Sequence, residues 1–273
     1  MESAVKVLTE HHISSAPVVD GNGLLVGSID FSDVLHHICA FALQDSNELK
    51  LTWEKFRVLY LSDVSNRNPL VRLTPETKLT EALELLFSGI HRVIIVDPEN
   101  RRRVVNVLAQ SDLLKFLHTH SELIPMPKQL KSVGDQKLGT QTQSGFKLQS
   151  VAPEVTAREA FQKMKLTNCR ALPIVQADGK LVSQISASDL SIIFNSSPVQ
   201  LELLELGALE FVKKVRQVSG GDKDLLIWVE PSTNTSGVLA KMVSENVHRV
   251  YITNNLIELR GVISITDLFQ ILL

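Results

Sequence analysis

The sequence is poor in most features that announce a chemistry. Aromatic residues make up 5% of its 273 positions, with two Trp and two Tyr. Its two cysteines, Cys39 and Cys169, lie in separate apolar surroundings. Two isolated thiols build neither a disulfide framework nor a zinc site, and they suit a reducing compartment. Excess charge of one sign is missing, because 28 basic residues against 30 acidic ones leave a formal net charge of −2. No global field would therefore gather nucleic acid. The one dense basic run, Arg101-Arg102-Arg103, reads as a solvated turn. No apolar run reaches the ~18 residues of a membrane span, and Met1-Glu2 does not open a signal peptide. The expectation is a soluble protein of the cytoplasm or nucleus, without a nucleic-acid or membrane partner. Catalytic fingerprints are absent as well: there is no G-x-S-x-G, P-loop, H-E-x-x-H or dinucleotide glycine pattern. The pairs His11-His12 and His36-His37 lack metal-ligand spacing, so neither an enzyme nor a metal site is expected.

What is present is a repeat. Four segments share one pattern: an apolar strand, a small polar residue, two residues, an Asp, then an apolar helix. They read VGSIDFSDVLHHI, VVNVLAQSDLLKFL, LVSQISASDLSIIF and RGVISITDLFQIL, with aspartates Asp33, Asp112, Asp189 and Asp267 spaced by 79, 77 and 78 residues. A second strand precedes each, starting at Ala16, His91, Ala171 and His248. Turn residues such as Asp20-Gly21-Asn22-Gly23 and Asp178-Gly179 separate the two strands. Amphipathic helices stand further upstream, and a short extended piece with proline opens three of the units. Each unit thus reads as strand, helix, strand, strand, helix, an α/β (α+β) repeat. The units span 1–40, 70–120, 146–195 and 225–273, joined by linkers 41–69, 121–145 and 196–224. The first unit lacks the opening strand. The segment from Trp53 to Leu61 looks helical, and LELLELGALEFVKKV in the last linker is amphipathic.

The unit resembles the cystathionine-β-synthase (CBS) domain, whose signature is G-h-h-[ST]-x-x-D before the last helix, with h apolar. Gly261-Val262-Ile263-Ser264-Ile265-Thr266-Asp267 fits it throughout. Four such units in one chain resemble the gamma-subunit family of AMP-activated protein kinases. Thr52-Trp53, His91-Arg92 followed by Asp97-Pro98-Glu99, Leu114-Lys115-Phe116-Leu117, Leu138-Gly139-Thr140 and His248-Arg249 add to that likeness. The resemblance implies units paired through their sheets into two modules, and modules joined into a pseudo-symmetric disk with adenine nucleotides in the clefts. It also implies partners: a protein kinase catalytic subunit and a beta-type scaffold subunit, with AMP, ADP or ATP as ligand and no required cofactor.

Chemistry assigns roles within that frame. A carboxylate can accept both hydroxyls of a ribose, and a neighbouring hydroxyl can serve a phosphate oxygen. Asp189, Asp267, Asp112, Ser186, Ser264, Thr266 and Thr140 are the candidates for the sugar. An Asp ahead of an apolar helix is also an ordinary helix cap, and that alternative stays open. His91, Arg92, His248, Arg249 and Arg170 are the candidates for phosphate, Arg for its fork of donors and His as an extra donor. The partner at minus three varies: Ser264 and Ser186 give way to Ala109 in the second unit and Asp30 in the first. A second carboxylate beside Asp33 would repel an anion. Ser14-Ser15 and Ser111 stand where the family has basic residues, so the centre is expected to carry fewer positive charges. The third and fourth units should hold the better sites. Two other readings remain: a scaffold that kept the fold and lost its ligand, and the regulatory part of a larger enzyme or transporter.

Overall fold

The computed structural model describes residues 2–11, 13–41, 58–65, 69–135, 148–194, 200–218 and 226–272. Each repeat folds around an antiparallel strand pair. In the first unit α1 (Glu2–Glu10) leads to β1 (Ser15–Val19), β2 (Leu25–Asp30) and α2 (Phe31–Phe41). The second unit runs β3 (Arg72–Leu73), α3 (Leu79–Phe87), β4 (Arg92–Val96), β5 (Val104–Ala109) and α4 (Gln110–Thr119), followed by the short α5 (Met126–Leu130). The third has α6 (Ala157–Leu166), β6 (Ala171–Val175) and β7 (Leu181–Ser186), and α7 (Ala208–Val218) follows it. The fourth has β8 (Trp228–Val229), α8 (Thr235–Ser244), β9 (Arg249–Thr253), β10 (Leu259–Ser264) and α9 (Ile265–Leu272).

Local chemistry explains the boundaries. β-Branched runs such as Val93-Ile94-Ile95-Val96 suit a pleated, half-buried surface. The β1–β2 turn closes because Asp20 Oδ1 accepts the amides of Asn22 and Leu24, at 2.9 and 3.0 Å, while Gly23 takes φ +74°. α6 starts on a reciprocal cap: Thr156 accepts from the Glu159 amide at 3.2 Å, and the Glu159 carboxylate accepts from the Thr156 amide at 3.0 Å. The opening strands are short. β3 pairs parallel with β4, β8 with β9, and in the third unit the pairing shrinks to one bridge, Val151 to Ile174.

Two elements differ from the sequence reading. The third unit ends in a 3₁₀ segment, Ala187–Phe194, where an α-helix is expected. The Ser188 hydroxyl there bonds the Ser186 hydroxyl at 2.8 Å, and Ile192-Ile193 are stiff at χ1, so the tighter turn wins over a low-propensity α-turn. Of the stretch expected to be helical up to Leu61, the described part is a single 3₁₀ turn, Val58–Leu61.

Four units close into a disk through two kinds of contact. Sheet edges join units one and two: the Leu25 amide donates to the Arg102 carbonyl at 2.5 Å, and Leu25, Ile94 and Val96 form a small core. The same edge joins units three and four, where the Leu181 amide donates to the Ile257 carbonyl at 3.0 Å and Tyr251 donates to Gln184 at 2.9 Å. Helices make the other contacts. One large core combines units one and three, with Val34, Ile38, Phe161, Leu190 and Phe211 at its centre. A second combines units two and four, with Leu86, Leu114, Met242, Leu268 and Phe269. Phe87 and Phe269 meet edge to face across it at 5.2 Å. Every unit therefore touches one neighbour by its sheet and another by its helices. No helix among the described residues is long and apolar enough to cross a membrane.

Candidate functional site

The four motif aspartates do the same local job. Each accepts the backbone N–H of the residue three before it. Asp33 takes Asp30 at 3.0 Å, Asp112 takes Ala109 at 2.9 Å, Asp189 takes Ser186 at 2.6 Å, and Asp267 takes Ser264 at 2.8 Å. The side chain fixes the strand-to-helix corner with one carboxylate oxygen. In Asp112, Asp189 and Asp267 the other oxygen receives no hydrogen bond from the described residues. Capping and ligand binding are thus compatible, because each role needs one oxygen.

Strand register puts the cations in order. Arg92 lies opposite Ala109 and Arg249 opposite Ser264, while Ser15 and Ala171 hold the same place in the odd units. Arg170 therefore matches His91 and His248, one residue earlier. Even units supply the arginine, and odd units face it with their aspartate. Burial lowers the pKa of both arginines, and the nearby charge of Asp33 opposes this at Arg92 as that of Asp189 does at Arg249.

The two modules then diverge at the minus-three position. In the first, Asp30 is fully buried. Its Oδ1 accepts the amides of Ser32 at 2.5 Å and Asp33 at 3.1 Å. Its Oδ2 receives Arg92 at 2.9 Å and Arg170 at 3.5 Å. Arg170 also donates to Nδ1 of His91, which requires the ring proton on Nε2. One carboxylate of unit one thereby ties units two and three. Burial alone would raise the pKa of Asp30; the guanidiniums of Arg170 and Arg92 overcome this and hold it below the ordinary carboxylate value. Asp33 goes the other way, to about 6, pushed first by burial and then by the Asp30 charge.

In the second module, the minus-three residue is Ser186, and Arg249 has no carboxylate to hold it among the described residues. The side chain of Arg249 makes no hydrogen bond or ion pair with the described residues. Arg216, from α7, donates to the buried Ser183 hydroxyl at 2.7 Å, and its buried Nε has no acceptor. Burial pushes Asp189 to about 6, opposed by the Ser186 amide and by the nearby charges of Arg216 and Arg249. Nothing in the repeat pattern marks Arg216, because it lies on a linker helix outside the motif.

Other candidates scatter. Thr266 accepts a hydrogen bond from Gln110 at 3.0 Å, so it joins units two and four. Ser264 donates to Asp267 at 2.6 Å. Thr140 lies outside the described residues. His248, with Ser111, Lys115 and Met242, lines a small, partly open recess between α4 and the α8–β9 corner. Crowding by protein, together with the charges of Arg249, Arg170 and Lys115, lowers the pKa of the His248 imidazole. In the first unit the segment 58–65 lies on the motif. The Ser65 amide donates to Asp33 Oδ1 at 2.9 Å, and Ser28 donates to Asp63 at 2.9 Å. Both Asp33 oxygens are thus filled from within the chain.

Known proteins match this arrangement along the whole chain. The family model described as CBS domain matches residues 1–40, 61–119, 147–194 and 223–273. The 5'-AMP-activated protein kinase subunit gamma-3 of Sus scrofa is 28% identical over 279 residues, covering 100% of this chain and 52% of that protein. Protein sds23 of Neosartorya fischeri is 27% identical over 247 residues, covering 85% and 45%. The chain spans about half the length of the curated relatives it matches. Protein MJ1225 from Methanocaldococcus jannaschii, a solved structure, superposes with a TM-score of 0.72 at 17% identity, covering 98% of this chain and 91% of that one. That likeness attests to the fold.

Proposed function

The chain belongs to the family of CBS-domain proteins, as a four-repeat member similar to the gamma subunits of AMP-activated protein kinase, and on that footing we propose that it is a non-catalytic regulatory subunit that binds an adenine nucleotide (AMP, ADP or ATP) in a cleft between units. Its partners in this reading are the catalytic subunit and the beta-type scaffold subunit of a Snf1/AMP-activated-type protein kinase, in the cytoplasm or nucleus. The observation that carries the reading is Arg249, a guanidinium without a carboxylate partner among the described residues, facing Asp189 across the junction of units three and four. Asp189 has one oxygen available for ribose hydroxyls, and Arg249 and Arg216 have donors suited to phosphate. The relative from Sus scrofa carries AMP activation in its name. A ligand spanning two units would favour one arrangement of the module, by no more than its differential affinity for the two states.

Calorimetric titration of the protein with AMP, ADP and ATP tests this. Binding of at least one nucleotide is expected, and Arg249→Met should weaken it by roughly 10- to 100-fold, the worth of charge-assisted hydrogen bonds. No heat from any of the three on the folded protein overturns the proposal. A second reading, the ligand-free scaffold, is favoured by one observation: Asp30 already pairs with Arg92 and Arg170. Under that reading an Asp189→Ala, Asp267→Ala double variant keeps its protein partner and loses nothing else.

A further inference from the structure

The clearest asymmetry between the two modules is the occupant of their arginines. Units two and four present Arg at the same strand position, opposite the same small residue class, facing an aspartate of the neighbouring odd unit. Arg249 has no carboxylate on it among the described residues, whereas Arg92 is clasped by Asp30. Asp30 stands at the position that holds Ser186 in the third unit and Ser264 in the fourth. A residue that merely failed to bind would be expected to point its charge into solvent. Asp30 instead is wholly enclosed, spends one oxygen on two backbone amides and offers the other to two guanidiniums from two different units. That is how an anionic ligand would be held: by peptide N–H groups at a helix start and by arginine forks.

We infer that Asp30 is a tethered anion that permanently fills the anion subsite of the first module, taking up Arg92 and Arg170 in place of a free phosphate group. The first module is then not a lost site. It is an occupied one, closed to phosphate by a residue of this chain, and its cations remain competent to bind an anion once the carboxylate is neutralised. The inference concerns Arg92 and Arg170 and stands whether or not the second module takes a nucleotide.

The test neutralises Asp30 and asks whether inorganic phosphate replaces it. Asp30→Asn keeps the Oδ1 that accepts the Ser32 and Asp33 amides and turns an NH₂ toward the arginines, so shape is preserved and charge is lost. All measurements use an Arg249→Met background, so phosphate taken up by the second module does not count. In chloride, Asp30→Asn should lower Tm by roughly 10 °C, as expected for breaking a buried pair. In phosphate at matched ionic strength at least half of that loss should return, since a ligand that binds only the folded state stabilises it. The background protein with Asp30 intact measures the general stabilisation by phosphate as an excluded salt, and the recovery counted for Asp30→Asn is what exceeds it. Adding Arg170→Met to the Asp30→Asn protein should abolish the recovery. A variant as stable as its parent in chloride, or one with the same deficit in both salts, overturns the inference. If the variant does not fold in chloride, the refolding yield in phosphate is the measure, and equal yields in the two salts, including none in either, overturn it too.

Discussion

Asp189 shows how one carboxylate can join folding to ligand binding. Its pKa is raised from 3.8 to about 6 by burial. A raised carboxylate favours the protonated form in the fold, so its contribution to stability is complete below the ordinary value and is lost as pH rises through about 6. Asp189→Asn should therefore stabilise the protein at pH 7.5, by about 1–3 kcal/mol, and leave it unchanged at pH 4. Urea midpoints at the two pH values measure this. Ribose hydroxyls donating to the carboxylate would favour its ionised form, so affinity should climb between pH 5 and pH 7. Adenosine is the right probe, since it has no phosphate titrating in that range, and the Asn variant should flatten the climb. The four aspartates and the phosphate candidates were legible in the sequence because the repeat exposes them. Their partners were not. A buried Asp30 at a serine position reads as a repulsive charge until the two arginines that approach from other units are seen.

At the scale of the element, the segment 58–65 is the feature the sequence concealed. Residues Val58–Leu61 make one 3₁₀ turn, and the chain then passes over β2 with Asp63 in a left-handed conformation, φ 59°. The fit is close. A Cβ added at Gly27 would stand 2.7 Å from Ser62 Cβ, which explains why the motif glycine is needed in this unit for packing. Gly27→Ala should cost about 1–3 kcal/mol by overpacking, whereas Gly21→Ala, with nothing within 4 Å, should change the urea midpoint little. Equal midpoints for the two variants would show that the segment yields freely. Strand order, turns and helix starts were readable because they rest on neighbours in sequence. The 3₁₀ ending of the third unit was not, because an apolar run before a motif carries the same pattern for either kind of turn.

For the whole molecule, the unit count was readable from the spacing of the motif aspartates and the pairing through sheets from the likeness to CBS proteins, but no residue pattern revealed which helices would share a core. The linker between units two and three suggests halves at 1–120 and 146–273. The cores run across that division, one joining units one and three, the other two and four. Separated fragments 1–135 and 148–273 should each expose apolar helix faces and self-associate, while an equimolar mixture should form a one-to-one complex by light scattering. Stable monomeric fragments would count against shared cores. Calorimetric melting of the intact chain should likewise give one transition.

The link through Asp30 also has a meaning in terms of concentration. A group carried on the chain meets its partners at an effective concentration set by geometry, on the order of millimolar or above, whatever the surroundings contain. An anion in solution competes with that fixed value in the first module but meets no such competitor at Arg249 among the described residues. If the second module takes the proposed nucleotide, two halves built on one plan would differ in what they register: one would keep a constant filling, and the other would follow supply, a reference and a gauge side by side.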